Sequence, residues 1–256
     1  MSLMYLTGIE FKKIRRSKIL LILLAAVIIL WIPSVLNARL NFTMQDVGIS
    51  PENNFLIQGF LGMAWFMFPA SMVACTVLLI QTERENRGLI KILSLPVSPV
   101  RLCLAKLIVL LFLAAAQILM TVGMYFISAA LASQLQSYSF MLPPLFVLRQ
   151  AGLMLVSSIP MLAFFWALAV CVRTPVFAVG IGLASIVPSV LMINTRAWFA
   201  YPMAYPFFVI TAEYGRLAEK LEMAQVELVP WLPTAACITI ACITISCLSF
   251  GQAERR

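Results

Sequence analysis

Six apolar runs, each long enough to form a membrane-crossing helix, divide this chain, and only short polar stretches separate them. A helix needs roughly 20 apolar residues to cross about 30 Å of hydrocarbon. Runs at 19–36, 57–80, 102–131, 150–172, 176–193 and 231–250 meet that requirement. The fourth and fifth are joined only by Arg173, Thr174 and Pro175, a tight turn at a membrane surface. Since helices satisfy their own backbone polar groups in lipid, the pattern predicts an all-α polytopic membrane protein with six transmembrane helices, forming a single transmembrane domain over residues 1–256.

The polar breaks carry patterns of their own. Within 1–18, Leu3, Thr7, Phe11 and Ile14 fall on one side at helical spacing, with Lys12, Lys13 and Arg16 away from it. Tyr5 and Ile9 blur the separation. The pattern predicts an amphipathic helix lying in the inner headgroup layer. A basic tail that only sets topology is the plainer alternative, and a cleaved signal peptide competes, although eighteen residues are long for a signal's basic region.

The break at 82–96 is the most charged. Thr82 and Glu85 have capping-box spacing, so a helix can begin there. Leu89, Ile92 and Leu93 form an apolar stripe, Arg84, Glu85, Arg87 and Lys91 supply charge, and Pro96 is a stop. A short helix with one apolar face suits a partner's groove. An ordinary basic loop serving topology is the simpler reading.

The longest break, 195–230, opens with a proline–aromatic run, RAWFAYPMAYPFF, of the kind enriched at membrane interfaces. Tyr214, Leu217, Leu221, Ala224 and Leu228 then recur at three-to-four spacing, with Glu213, Arg216, Glu219, Lys220 and Glu222 largely elsewhere. This predicts an amphipathic outer helix ended by Pro230, serving either to gate an exit or to cap the bundle.

Charge orients the chain. With the N-terminus inside, thirteen Lys and Arg residues fall on the cytoplasmic side and five outside, so both termini are assigned to the cytoplasm. The net charge of +8 follows from that bias and is no argument for nucleic acid. Only 11% of residues are charged, against about 25% in soluble domains, which leaves no stretch for a soluble catalytic domain.

The chemistry is equally restrictive. The chain has no histidine, and its six cysteines form no CxxC, so neither metal ligation nor general-base chemistry is indicated. It lacks GxxxxGK[S/T], GxSxG and HExxH, so it binds no nucleotide by the usual loop and shows no hydrolase signature. Gln117, near the middle of the third span, is the one strongly polar side chain at depth. Ion-coupled carriers bury charges along their path, so secondary transport and a selective pore are disfavoured. Pro33, Pro69, Pro160 and Pro188 fall within spans and can kink them. Gly59, Gly62, Gly180 and Gly182 suit close helix contact.

With its basic leader, six spans, charged loop after the second and amphipathic outer segment before the sixth, the whole chain resembles the membrane subunit of an ABC transporter of the type-2 exporter class. Glu85-Asn86-Arg87-Gly88, leading to Ile92-Leu93-Ser94-Leu95-Pro96-Val97-Ser98 and then Lys106, is similar to that family's coupling-helix region. The resemblance implies that 83–95 docks onto a separate ATPase, with Glu83, Arg84, Glu85, Arg87, Gly88, Lys91 and Leu95 at the docking surface. It implies that 3–18 is a connecting helix and that 198–228 is an outer re-entrant or gating segment, with Tyr201, Pro202, Tyr205, Pro206, Leu217 and Leu221 as gate candidates.

A narrower likeness is to permeases that protect lantibiotic producers from their own peptide. It rests on Glu10-x-x-Lys13-x-x-Arg16-Ser17-Lys18, on Leu93-Ser94-Leu95-Pro96-Val97-Ser98 and on Tyr201-Pro202-x-x-Tyr205-Pro206. It implies ATP-driven expulsion of an amphipathic peptide or hydrophobic compound from a bacterial cytoplasmic membrane. The assembly would be two permeases, identical or homologous, with two ABC ATPase subunits that bind ATP and Mg; the chain itself would carry no cofactor and do no covalent chemistry. A non-transporting membrane scaffold or an intramembrane enzyme is the alternative class.

Overall fold

The structure is a computed structural model and describes residues 2–84, 98–172, 174–218 and 228–252. All regular elements among the described residues are helical, and six of the helical stretches are long and apolar enough to cross a membrane.

Helix α1, Leu3–Arg16, starts where the Ser2 hydroxyl accepts the Tyr5 backbone N–H at 3.4 Å. It ends at Ser17, whose N–H (2.9 Å) and hydroxyl (2.8 Å) both donate to the Ile14 carbonyl. Its packed stripe is Leu6, Glu10 and Ile14, with the Phe11 ring edge-on to Phe112 at 4.8 Å. That stripe is rotated from the predicted line of Leu3, Thr7, Phe11 and Ile14. The reason is a carboxylate at its centre, and Met4, Tyr5 and Ile9 stay exposed on the other side.

After a two-residue bend, α2 (Ile19–Leu36) forms the first span. It buries Ile19, Leu23, Val27 and Trp31, one residue per turn, and leaves Leu21, Ile22, Ile29, Ile32 and Leu36 to lipid. Turns of 3₁₀ helix at Ala38–Val47 lead to the second span, built from α3 (Pro51–Gly62), one wide π turn (Met63–Met67) and α4 (Phe68–Arg84). In the wide turn the Phe68 N–H reaches back to the Met63 carbonyl, five residues earlier. Pro69 follows at once: it has no N–H, and in a regular helix its ring would collide with the Trp65 carbonyl, so the widening absorbs the proline.

Helices α5 (Pro99–Gln136) and α6 (Pro144–Cys171) are the third and fourth spans, and the fourth is the most buried of the six. The fifth span is split by Pro188 into α7 (Pro175–Ile186) and α8 (Ser189–Met192). Short 3₁₀ turns at Trp198–Ala200 and Pro202–Ala204 lead into α9 (Tyr205–Leu217), and α10 (Leu228–Gln252) is the sixth span. Pro230 therefore lies within α10, and the outer helix ends at Leu217, not at Pro230 as expected. Proline at a helix start costs no hydrogen bond, and Pro51, Pro99, Pro144 and Pro175 all use that freedom.

Around this centre, α2 and α1 pack on α5, α4 packs on α5, α6 and α7, and both α9 and α10 pack on α6. Two glycines make the approaches possible. A Cβ at Gly59 would collide with the Trp31 ring, and one at Gly182 would lie 2.7 Å from a Val73 methyl. Close backbone approach of this kind is what holds helices together in lipid, where apolar burial alone gives little preference for protein over acyl chains.

Candidate functional site

The ends of α4 and α5 bracket residues 85–97 on the side that the basic residues assign to the cytoplasm, and α1 lies against α5 beside them. Glu83 and Arg84 are the last two described residues of α4. Of the predicted docking residues, Glu85, Arg87, Gly88, Lys91 and Leu95 lie outside the described residues, as does the expected helix over most of 82–96.

At this corner sits an ion pair that the sequence patterns did not single out. Lys106 Nζ lies 2.7 Å from Glu10 Oε2 and donates to the Leu79 carbonyl at 3.3 Å. Glu10 Oε1 accepts from Lys13 Nζ at 2.6 Å. The side chains of Lys106 and Glu10 are 1% and 4% exposed, so the pair is sealed from water on both sides. Burial alone pushes the Glu10 carboxyl up, but the charges and hydrogen bonds of Lys106 and Lys13 outweigh it and hold Glu10 below the usual glutamate value. One ammonium thus joins the leader, the second span and the third. Periodicity could not find a pair separated by 96 residues. The available signal was a lysine set in the apolar run LCLAKLIVL and a lone acid in a basic leader.

In the membrane interior, Gln117 is fully buried on α5 and donates to the Ser71 hydroxyl of α4 at 3.0 Å. The Ser71 hydroxyl in turn donates to the Met67 carbonyl at 2.6 Å, in the wide turn. The polar side chain that the sequence placed at depth therefore ties the third span to the irregular point of the second.

The outer segment is folded inward. Pro202, Tyr205 and Pro206 are buried and Tyr201 is half-buried. The Tyr201 hydroxyl donates to the Ser185 carbonyl of α7, and the Tyr205 hydroxyl to the Phe199 carbonyl. Trp198 stacks on Phe208 at 3.7 Å and lies 5.8 Å from Trp231 of α10. Leu217, at the end of α9, packs against the main core, and Leu221 lies outside the described residues. Glu213 is buried beside Arg216, whose Nε donates to it at 3.0 Å.

Between α2 and α5, in the outer half, an open apolar groove of about 180 Å³ is lined by Ile28, Trp31, Ile32, Met124, Ile127 and Ser128 among others. The Trp31 indole N–H is buried and takes no partner among the described residues.

Comparison with curated proteins and with solved structures gave no match. The model of one family, ABC-2 family transporter protein, matches residues 6–189. That match takes in most of the leader, the first four spans, the charged loop and the fifth span as far as Ser189, and it stops short of α9. With more than half of the chain covered, the protein belongs to the ABC-2 family of transporter proteins, as a membrane permease subunit that associates with an ABC ATPase.

Proposed function

We propose that the chain is the permease of an ATP-driven exporter that removes an amphipathic, lantibiotic-like peptide or a hydrophobic compound from the bacterial cytoplasmic membrane. The observation that carries this reading is the inner corner, where the leader, α4 and α5 meet at Lys106, α4 and α5 being the helices that flank residues 85–97 in the sequence. A force applied to 83–95 by an ATPase enters two spans at once. Glu83, Arg84, Glu85, Arg87 and Lys91 supply the charge for docking, Gly88 the freedom for a turn, and Leu95 an apolar contact.

Cargo chemistry follows from the walls. The groove between α2 and α5 opens laterally and is almost wholly apolar, so a molecule already dissolved in the bilayer enters it without losing hydration. Tyr201, Pro202, Tyr205, Pro206 and Leu217 close the outer end in this conformation, and release requires the Tyr201–Ser185 and Tyr205–Phe199 contacts to part. Two such permeases, identical or homologous, complete the pathway, with ATP and Mg held on the ATPase subunits.

Co-purification tests the docking surface. Glu83→Ala, Arg84→Ala and Glu85→Ala together are expected to abolish recovery of the ATPase with the permease, and undiminished recovery would discard the surface. Cells making the complex are expected to retain less of a fluorescent cationic amphipathic peptide in their membranes than cells with a hydrolysis-dead ATPase. Equal retention would remove the cargo assignment.

A further inference from the structure

Buried hydroxyls in this bundle share one habit. Thr76, Thr121, Ser157, Ser158, Ser189 and Ser246 each donate to a backbone carbonyl three or four residues earlier, at 2.6 to 3.0 Å. Ser128 of α5 is as deeply buried, at 2% exposure, yet its hydroxyl makes no hydrogen bond among the described residues. It lines the groove between α2 and α5. Trp31, on the α2 wall of the same groove, carries a second orphan, the buried indole N–H. The Trp31 ring is held in place, with Phe55 and Tyr125 each 5.8 Å away and Gly59 against its edge. A buried polar group without a partner is costly, and two of them at one groove, one from each wall, point to a ligand.

The free space and the two groups describe that ligand. An apolar cavity of about 150 Å³ takes a benzene ring, so a groove of about 180 Å³ holds one ring or branched side chain. The indole can only donate, which suits a carbonyl, whereas a hydroxyl also accepts, which suits an N–H. Together they match the two halves of a peptide unit. A phospholipid ester offers acceptors alone, at the edge of the hydrocarbon. Trp31 lies five residues, about 7.5 Å, short of the outer end of α2, whose whole length is close to the hydrocarbon thickness. We propose that the groove is a subsite for one bulky apolar residue of a membrane-dissolved peptide, with its backbone carbonyl on Trp31 Nε1 and its N–H on Ser128 Oγ. The assignment rests on the reading of the groove as the entry for cargo, and among those cargoes it selects the peptide over the plain hydrophobic compound.

The test uses the complex of permease and ATPase in lipid nanodiscs and two photoreactive probes. One is N-acetyl-4-azidophenylalanine octylamide; the other, 1-(4-azidophenyl)dodecane, carries a similar ring and tail without an amide. The readouts are the labelled residues, located by mass spectrometry, and the probe concentration at half-saturation. The amide probe is expected to label the groove walls around Trp31 and Ser128 saturably. Ser128→Ala deletes a hydroxyl that bonds to nothing, so the fold is expected to persist while half-saturation by the amide probe rises about two- to tenfold. Trp31→Phe, which keeps a ring and removes the donor, is expected to act in the same direction; where it fails to fold, Ser128→Ala decides alone. Labelling by the hydrocarbon probe is expected to ignore both substitutions. Unsaturable labelling, or an amide probe indifferent to Ser128→Ala, means that the groove holds only lipid tails and overturns the subsite. Saturable, Ser128-dependent labelling beside equal peptide retention in cells with active and hydrolysis-dead ATPase upholds the subsite and removes the export reading alone.

Discussion

The two ends of the bundle are held together by different physics. At the outer end, Trp31, Phe55, Tyr125 and Phe140 form one aromatic cluster, with neighbouring centroids 5.2 to 6.4 Å apart. Hydrogen bonds surround it, all but one of them between neutral groups. Asn54 Nδ2 donates to Asn41 Oδ1 at 2.8 Å, Tyr125 donates to the Phe140 carbonyl and accepts from the Leu142 N–H, both at 3.0 Å, and Tyr138 donates to Glu52. At the inner corner, one ammonium collects three elements. Many shared contacts make a scaffold whose parts support one another. A buried ionic node concentrates the contact between elements on a few charged side chains.

Substitutions can break or sharpen that contrast. Trp31→Ala is expected to have the largest effect, about 3–5 kcal/mol, since it removes a ring that fills the space over Gly59 and touches Phe55 and Tyr125. Reversible unfolding in mixed detergent micelles measures it, and a loss near zero would mean that the outer cluster is not a scaffold. Lys106→Met comes next, at about 3 kcal/mol, because Glu10 loses its buried ammonium and keeps only the half-exposed Lys13. Adding Glu10→Gln should recover most of that loss. Strict additivity of the two substitutions would show that the inner node is not a coupled pair. Asn54→Ala leaves the buried Asn41 oxygen without its donor, for an expected cost of about 1–2 kcal/mol. Tyr138→Phe should cost about 1 kcal/mol, as neighbouring aromatic packing is retained. If it matched Trp31→Ala, hydrogen bonds and not rings would hold the outer end.

The smallest effect is expected from pH near neutrality. Glu10 has its folded pKa depressed, so its contribution is fully present above the unfolded value of about 4.5 and is lost as pH falls through the lower folded value. Melting temperatures of the native protein and of Glu10→Gln should run parallel above about pH 5 and converge in acid. Convergence already at neutral pH would contradict the depressed carboxyl.

What could be read in the sequence was whatever the membrane itself imposes. The apolar runs had to be near 20 residues, and the helices over 19–36 and 175–192 follow their runs closely. The second span begins six residues before its apolar run, at Pro51, because Glu52 and Asn54 find partners in Tyr138 and Asn41. No local pattern announces such partners, since they arrive from other breaks in the chain. The leader shows the same limit. Its helix was legible from spacing, but its orientation was set by Lys106, far away along the chain. Pro230 misled for the opposite reason, as a proline can end a helix or lie within one. The outer tyrosines and prolines were legible as a cluster, while their inward burial depends on α6 and α7, which no short motif encodes.

The π turn at Met63–Met67 has a consequence for how such a protein can change over time. In an unbroken α-helix, adding one residue spins everything beyond it by about 100°, so the azimuths of its two ends are locked together. A turn that already holds a surplus residue, next to a proline that forbids the regular ladder, frees one end from the other. The lower half of the second span can be re-aimed by a one-residue insertion or deletion, while the Asn54 and Phe55 face above keeps its seat.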